Sequence, residues 1–285
     1  MTPPAPLSLG ICSFAFHRSV ASGAMDVAAI FATCRELGCT QLDPWNAHLC
    51  EPAAAPDGLH AGKHPEDARL QVPGWDHVER IRSLGARTGL PFGCIAVDGA
   101  HLFEADPAAR ELNFARACRW IEIAARLGAS SVRIDAGGPE RLDAQALAVI
   151  VPGYAALISR ARALGVTVLV ENHWGPTVVP DNVLTLLGAV PGLGFLFDTH
   201  NWKAGLQAEG WRRCAARATV VHVKTFAFDD AGEEATVDLR PAFAALRQAR
   251  FQGTWCVESV PTDGDEVGAA RATISLIRRH AQEAA

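Results

Sequence analysis

The run Leu164-Gly165-Val166-Thr167-Val168-Leu169-Val170-Glu171-Asn172-His173 decides the fold. It opens where a helical stretch ends at a glycine, the residue that closes helices because it takes the left-handed conformation without strain. Residues 166–171 follow, rich in Val and Leu, with the composition of a strand. The run is nearly continuous in its apolar character, which marks a strand buried on both faces, as in a parallel sheet. A single carboxylate, Glu171, closes it.

Working outward, the same unit recurs along the chain. Strands are expected at 7–13, 40–43, 91–97, 131–135, 166–171, 194–198, 219–225 and 253–258. Helical patterns lie between them. Residues 25–37 end at Gly38 and residues 108–127 end at Gly128. Asp106-Pro107 supplies an N-cap followed by proline in the first turn. Residues 269–284 form the last helix. Alternating strands and helices require a parallel sheet. Eight units of about 30 residues fit a closed barrel better than an open sheet. The open sheet would carry a glycine-rich fingerprint after strand one, where this chain has Cys12-Ser13-Phe14-Ala15-Phe16-His17. The expectation is a single α/β domain over 1–285, a (β/α)8 TIM barrel. One segment breaks the rhythm: residues 44–73, proline-rich and holding His48, His60 and His64. It is read as a lid or substrate-contacting loop, with an idle excursion as the other reading.

Composition supports a packed chain. Of 285 residues 49% are hydrophobic and 20% charged, with a mean hydropathy of +0.10, which excludes disorder as the main state. No stretch reaches the roughly 18 to 20 uninterrupted apolar residues of a membrane span. Residues 1–6 lack the basic and apolar parts of a signal peptide. The net charge of −5 and the lack of a basic run argue against nucleic-acid binding. Eight cysteines are scattered without a CxxC pair, so reduced thiols and a cytoplasmic location are expected.

The informative charges stand at strand ends, where a barrel gathers its site. Strand five ends in Glu171, strand six in Asp198-Thr199-His200-Asn201, strand seven carries His222 and Lys224, and strand eight ends in Glu258. A charge after an apolar run is costly unless paired or bound to metal. Strand alternation turns Glu171, His222, Lys224 and Glu258 toward the interior. Three carboxylates and one imidazole suit one divalent ion of the Mn²⁺, Mg²⁺ or Co²⁺ kind, with manganese first, better than zinc. Each residue taken singly could equally be a strand cap or an arginine partner.

The runs Leu169-Val170-Glu171-Asn172, Phe197-Asp198-Thr199-His200-Asn201-Trp202, Val221-His222-Val223-Lys224 and Cys256-Val257-Glu258-Ser259 resemble the xylose isomerase-like TIM barrel superfamily, the sugar phosphate isomerase/epimerase family among it. The resemblance implies that Glu171, Asp198, His222 and Glu258 hold one divalent metal, and that Glu171 and Glu258 are also the catalytic acid/base pair. Asn201 stands where ketose 3-epimerases often carry a histidine. The resemblance also suggests a substrate-binding carboxylate at Asp43. It leaves a homo-oligomer open, and no interface is read from the sequence.

Such residues suit isomerisation or epimerisation of a sugar through an enediolate, with one glutamate taking a proton beside a carbonyl and the other returning it. A lyase on the same scaffold, dehydrating an inosose or eliminating from a keto-sugar or glycoside, begins with the same step and is the alternative. An abasic-site endonuclease would need more histidine ligands and a basic groove. A non-catalytic barrel is a further reading. Further substrate-binding candidates are Arg133, His173, Asn201 and Lys224. Arg133 either pairs with Asp135 or holds hydroxyls, and Lys224 either meets substrate or pairs with Asp229 or Asp230. His173 and His200 are candidate donors behind the ligands. Trp45, Trp174, Trp202 and Trp255 either stack on a sugar face or fill the core. The expected partner is a small-molecule carbohydrate.

Overall fold

The structure is a computed structural model that describes residues 7–52 and 68–282. The larger part of the 44–73 loop, with His60 and His64, lies outside the described residues, and so does the reading of it as a lid.

All eight expected strands are present, within a few residues of their expected bounds. They are β1 Leu9–Cys12, β2 Gln41–Asp43, β3 Cys94–Val97, β4 Ser131–Ile134, β5 Thr167–Glu171, β6 Gly194–Asp198, β7 Val220–Thr225 and β8 Thr254–Ser259. After β1 come α1 His17–Ala21 and α2 Val27–Glu36; after β2 comes α3 Trp75–Thr88. The later strands are followed in turn by α4 Pro107–Leu127, α5 Ala144–Ala163, α6 Pro180–Ala189, α7 Gln207–Cys214, α8 Arg240–Gln248 and α9 Glu266–Ala281. The last helix starts earlier than the apolar pattern suggests, because Asp265 caps it by accepting from Gly268 N.

The strands form one parallel sheet in the order β2-β1-β8-β7-β6-β5-β4-β3. The two end strands meet through isolated pairs, Leu42 with Phe92 and Trp45 with Ala96. Backbone bonds from Leu42 N to Pro91 O (3.0 Å), Gly93 N to Leu42 O (2.9 Å) and Ala96 N to Pro44 O (2.9 Å) close the barrel there.

Strand alternation divides the apolar residues into two layers. The outward set, including Ile11, Val132, Val170, Phe195, Phe197 and Val257, packs under the helices. The inward set is small: Cys12, Cys94, Ala96, Leu169, Leu196, Val220 and Cys256, with Phe14 beside it. Three of the eight thiols therefore fill the barrel interior. All eight cysteines are free.

By length and composition helix α5 is apolar enough to span a bilayer, although Pro152, Arg160 and Arg162 interrupt its apolar run. Here it lies on the barrel wall, with the buried Tyr154 hydroxyl donating to Ile134 O at 2.7 Å.

Candidate active site

Register places the charged strand ends next to one another. Asp198 pairs with His222 across β6 and β7, and Lys224 pairs with Glu258 across β7 and β8. Glu171 lies one strand further round, opposite Leu196. One ligating atom each from Glu171, Asp198, His222 and Glu258 lies within 4.8 Å of the others, and all four residues are buried. The sequence thus singled out four residues that the fold does bring together.

Their hydrogen bonds show which atoms remain available. Asp198 Oδ1 accepts from His200 N (2.6 Å) and Asn201 N (2.8 Å), while its Oδ2 is buried without a partner. Asn172 clips the strand ends, donating to Asp198 O (2.9 Å) and accepting from Asp198 N (2.8 Å). Glu171 Oε2 stands 2.9 Å from Arg133 Nε, an ion pair whose N–H is not aligned as a hydrogen bond. Glu171 Oε1 faces Asn201 Nδ2 at 3.5 Å and His222 Nδ1 at 3.8 Å. Glu258 meets His222 Nδ1 through Oε2 (2.9 Å) and accepts from Lys224 Nζ through Oε1 (3.1 Å).

Three buried carboxylates so close together cannot all ionise cheaply. Burial, joined by the charges of Glu258 and Glu171, pushes Asp198 above the usual carboxylate range against the pull of Lys224 and His222. Burial also works against Glu258, but Lys224 and His222 hold it well below that range. Burial would lower His222, yet its bond to Glu258 and the surrounding carboxylates raise it. Excess negative charge, an orphaned Asp198 oxygen and a three-oxygen, one-nitrogen donor set fit a divalent cation.

Several expectations need correction. Lys224 pairs with Glu258 and bonds Asn201 Oδ1 at 3.2 Å, not Asp229 or Asp230, because its strand neighbour is Glu258. His200 supports Asp198 with its backbone N–H only; its ring stacks on Phe226 at 4.9 Å. The His173 ring meets Asp135 (3.1 Å), not a candidate ligand. Trp202 and Trp255 face the helix layer against Phe197 and Phe243. Asp43 is not one of the four residues but lies beside one of them, His222, together with Cys256. It is fully buried in the barrel interior, with Oδ1 accepting from Gln41 Nε2 at 2.5 Å.

Beside the four residues opens a cavity of about 450 Å³, lined by Phe14, Trp45, Arg69, Asp98, His101, Asp135, His173 and Trp174. Arg133 underlies it, bonding Asp98 Oδ1 and Asp135 Oδ2, both at 2.9 Å, so the Arg133–Asp135 pair is formed. Each carboxylate also holds an indole upright. Trp45 Nε1 donates to Asp98 (2.9 Å) and Trp174 Nε1 to Asp135 (3.0 Å). Burial would raise Asp135, but Arg133 and His173 hold it well below the usual range. Burial likewise opposes a charge on His173, yet Asp135 and Glu171 carry it up to about 9. Asp98 escaped the sequence reading, although it follows strand β3 just as the other site carboxylates end theirs. Asn46 ties this wall together, donating to Arg69 O (2.9 Å) and accepting from Asp98 N (3.0 Å).

Eight parallel strands closed into a barrel, with acidic and imidazole side chains converging at the strand ends, place the molecule among (β/α)8 barrels. The chain belongs to the xylose isomerase-like TIM barrel family, whose model matches residues 31–280. No curated protein matches it by sequence. Solved structures share the fold at low identity. The apo 3-keto-D-glucoside 4-epimerase of E. coli is 14% identical, with a TM-score of 0.71 over 96% of this chain and 100% of that one. The Methylomonas D-allulose 3-epimerase in complex with D-allulose is 15% identical, with a TM-score of 0.69 over 98% and 99%. A Mycobacterium smegmatis xylose isomerase-like TIM barrel protein in complex with magnesium is 18% identical, with a TM-score of 0.69 over 99% and 98%.

Proposed function

We propose that this protein is a divalent-metal-dependent sugar isomerase or epimerase that moves a proton beside a carbonyl. The observation that carries this reading is the convergence of Glu171, Asp198, His222 and Glu258 within 4.8 Å, buried and next to an aromatic-walled cavity. These four residues would hold the ion, with manganese first and magnesium or cobalt as alternatives. When bound, it supplies Lewis acidity that makes a proton next to a sugar carbonyl easier to remove.

The chain's own groups supply the rest. Glu171 and Glu258 are the proton carriers, one taking the proton and the other returning it. Arg133 pins one oxygen of Glu171 and leaves the other facing the site. Lys224 and His222 keep Glu258 ionised. Asn201 and Lys224 contact each other and one glutamate apiece, at the right place to bind substrate oxygens. Trp45 and Trp174, fixed by Asp98 and Asp135, present ring surface for the C–H face of a sugar. His173, charged at neutral pH, is a donor to a substrate oxygen. The activities of the similar E. coli and Methylomonas proteins, a 3-keto-D-glucoside 4-epimerase and a D-allulose 3-epimerase, support this substrate class. Eight free thiols fit a reducing cytoplasm.

The test is to incubate the Mn²⁺-loaded protein with a panel of ketoses and keto-glycosides in D₂O and follow the products by NMR. An isomeric product with deuterium at one carbon, lost in Glu171→Gln and Glu258→Gln, is expected. A product lacking water or an aglycone would assign the lyase reaction. No deuterium incorporation from any substrate would overturn the reading.

A further inference from the structure

Below the four-residue group, on the inner face of the barrel, lies a second polar construction that the proposed proton transfer does not use. Asp43 ends β2 and is fully buried among the interior thiols. One of its carboxylate oxygens, a ring nitrogen of His222 and Cys256 Sγ lie within 4.8 Å of one another. Asp43 Oδ2 and His222 Nε2 are both buried without a hydrogen-bond partner. An orphaned acceptor and an orphaned ring nitrogen in one apolar interior are each costly, and both costs vanish if they meet.

The surroundings are built to hold the carboxylate there. Gly10 on β1 and Gly93 just before β3 flank it. A Cβ at Gly93 would overlap both Asp43 Oδ1 and Gln41 Nε2, and one at Gly10 would come within 3.3 Å of Asp43 Oδ1. Gln41 donates to Asp43 and accepts from Thr254 Oγ1 (3.2 Å), which in turn contacts Ser8 Oγ (3.0 Å). The barrel thus has a polar column from its floor to Asp43, whose Oδ2 is left without a hydrogen bond near His222 and Cys256.

His222 Nδ1 faces Glu258 and Glu171, at 2.9 Å and 3.8 Å. A metal can take that nitrogen only when the ring's remaining proton sits on Nε2. We infer that Asp43 is a positioning residue that accepts this Nε2–H, fixing the tautomer and tilt of His222 so that Nδ1 is presented to the ion. Carboxylates behind metal-bound histidines do this generally, and losing one typically lowers metal affinity about 10- to 100-fold. The inference rests on the proposed metal site.

The experiment measures Mn²⁺ dissociation constants of the full chain by calorimetric titration, for the wild type, Asp43→Asn, Asp43→Leu and Glu171→Gln. Asn keeps an acceptor for Nε2–H, whereas Leu fills similar volume without one. The expected result is a loss of about 10- to 100-fold for Asp43→Leu, with most of the affinity retained by Asp43→Asn. Nitrogen-15 NMR of the Zn²⁺-loaded wild type should find the His222 proton on Nε2, with its proton resonance moved upfield in Asp43→Asn. Equal affinity of the wild type and a folded Asp43→Leu overturns the inference. If Asp43→Leu does not fold, an Nε2–H resonance identical in wild type and Asp43→Asn overturns it. A wild type that binds no Mn²⁺, or a Glu171→Gln that binds as well as wild type, overturns the metal reading itself and the inference with it.

Discussion

Replacing Arg133 by methionine tests the electrostatic design of the barrel mouth. Arg133 is 4% exposed and its guanidinium touches three carboxylates: Asp98 and Asp135 through Nη1, and Glu171 through Nε, each at 2.9 Å. Methionine fills comparable apolar volume and removes the charge. Asp98 is partly solvated, so losing its partner costs little. Asp135 and Glu171 are buried, and leaving buried charges without their cation costs about 3–5 kcal/mol. That is a large part of the roughly 5–15 kcal/mol that holds a domain folded. Urea unfolding of the metal-free proteins at pH 7 should show a loss of this size, with Arg133→Lys recovering part of it.

The pH dependence follows from Asp135. Arg133 and His173 keep its folded pKa below its unfolded value. Its stabilising contribution is therefore complete above the unfolded value, about 3.9, and disappears as pH falls through the folded one. In the methionine variant the largest cause of that depression is removed, while His173 and Trp174 remain, so the depression shrinks. The gap between wild type and variant should be widest near pH 7 and shrink as the solution is acidified below about pH 4. A gap under about 1 kcal/mol at pH 7, the size expected of an exposed pair, would refute the reasoning, and so would a gap that does not change with pH.

Other outcomes are equally specific. Saturating Mn²⁺ at one hundred times its dissociation constant should stabilise the wild type by about 2.7 kcal/mol in thermal unfolding, and EDTA should remove the effect. Asp198→Asn should abolish that stabilisation yet leave the metal-free protein at least as stable at pH 8, because burial raises the folded pKa of Asp198 and its ionisation costs stability as pH rises. Glu171→Gln or Glu258→Gln should lower turnover by about 10²- to 10⁴-fold, read by the deuterium assay, with unchanged circular dichroism. Gly93→Ala should destabilise by about 1–3 kcal/mol in urea unfolding, since the added methyl overlaps the Gln41–Asp43 pair. Trp174→Ala should weaken sugar binding by up to about tenfold, measured by calorimetry.

The barrel was legible because burial on both faces leaves a strong one-dimensional trace: short apolar runs, glycine helix stops and a repeat of about 30 residues. The four strand-end residues were legible for the same reason, as rare charges against an apolar background. Partner choice was less so. Lys224 has two aspartates close behind it in sequence, but its register neighbour across the sheet is Glu258. Trp202 and Trp255 stand near strand ends like Trp45 and Trp174, yet alternation and packing turn them to the helix side. Asp98 carries the same strand-end signal as Glu171, and only its contacts with Trp45 and Arg133 single it out.

By itself the sequence determined the periodic pattern, and with it a parallel barrel whose ionisable residues collect at one end. That information is local, carried by the spacing of apolar residues and by what can end a helix or a strand. Only the tertiary structure decided which atoms are spoken for: that Glu171 shares Arg133 with two aspartates, that Asp198 Oδ2 and His222 Nε2 are left over, and that Asp43 sits inside the barrel beside His222. Those facts depend on register between strands far apart in the chain, because a one-residue slip would turn every one of these side chains to the opposite face.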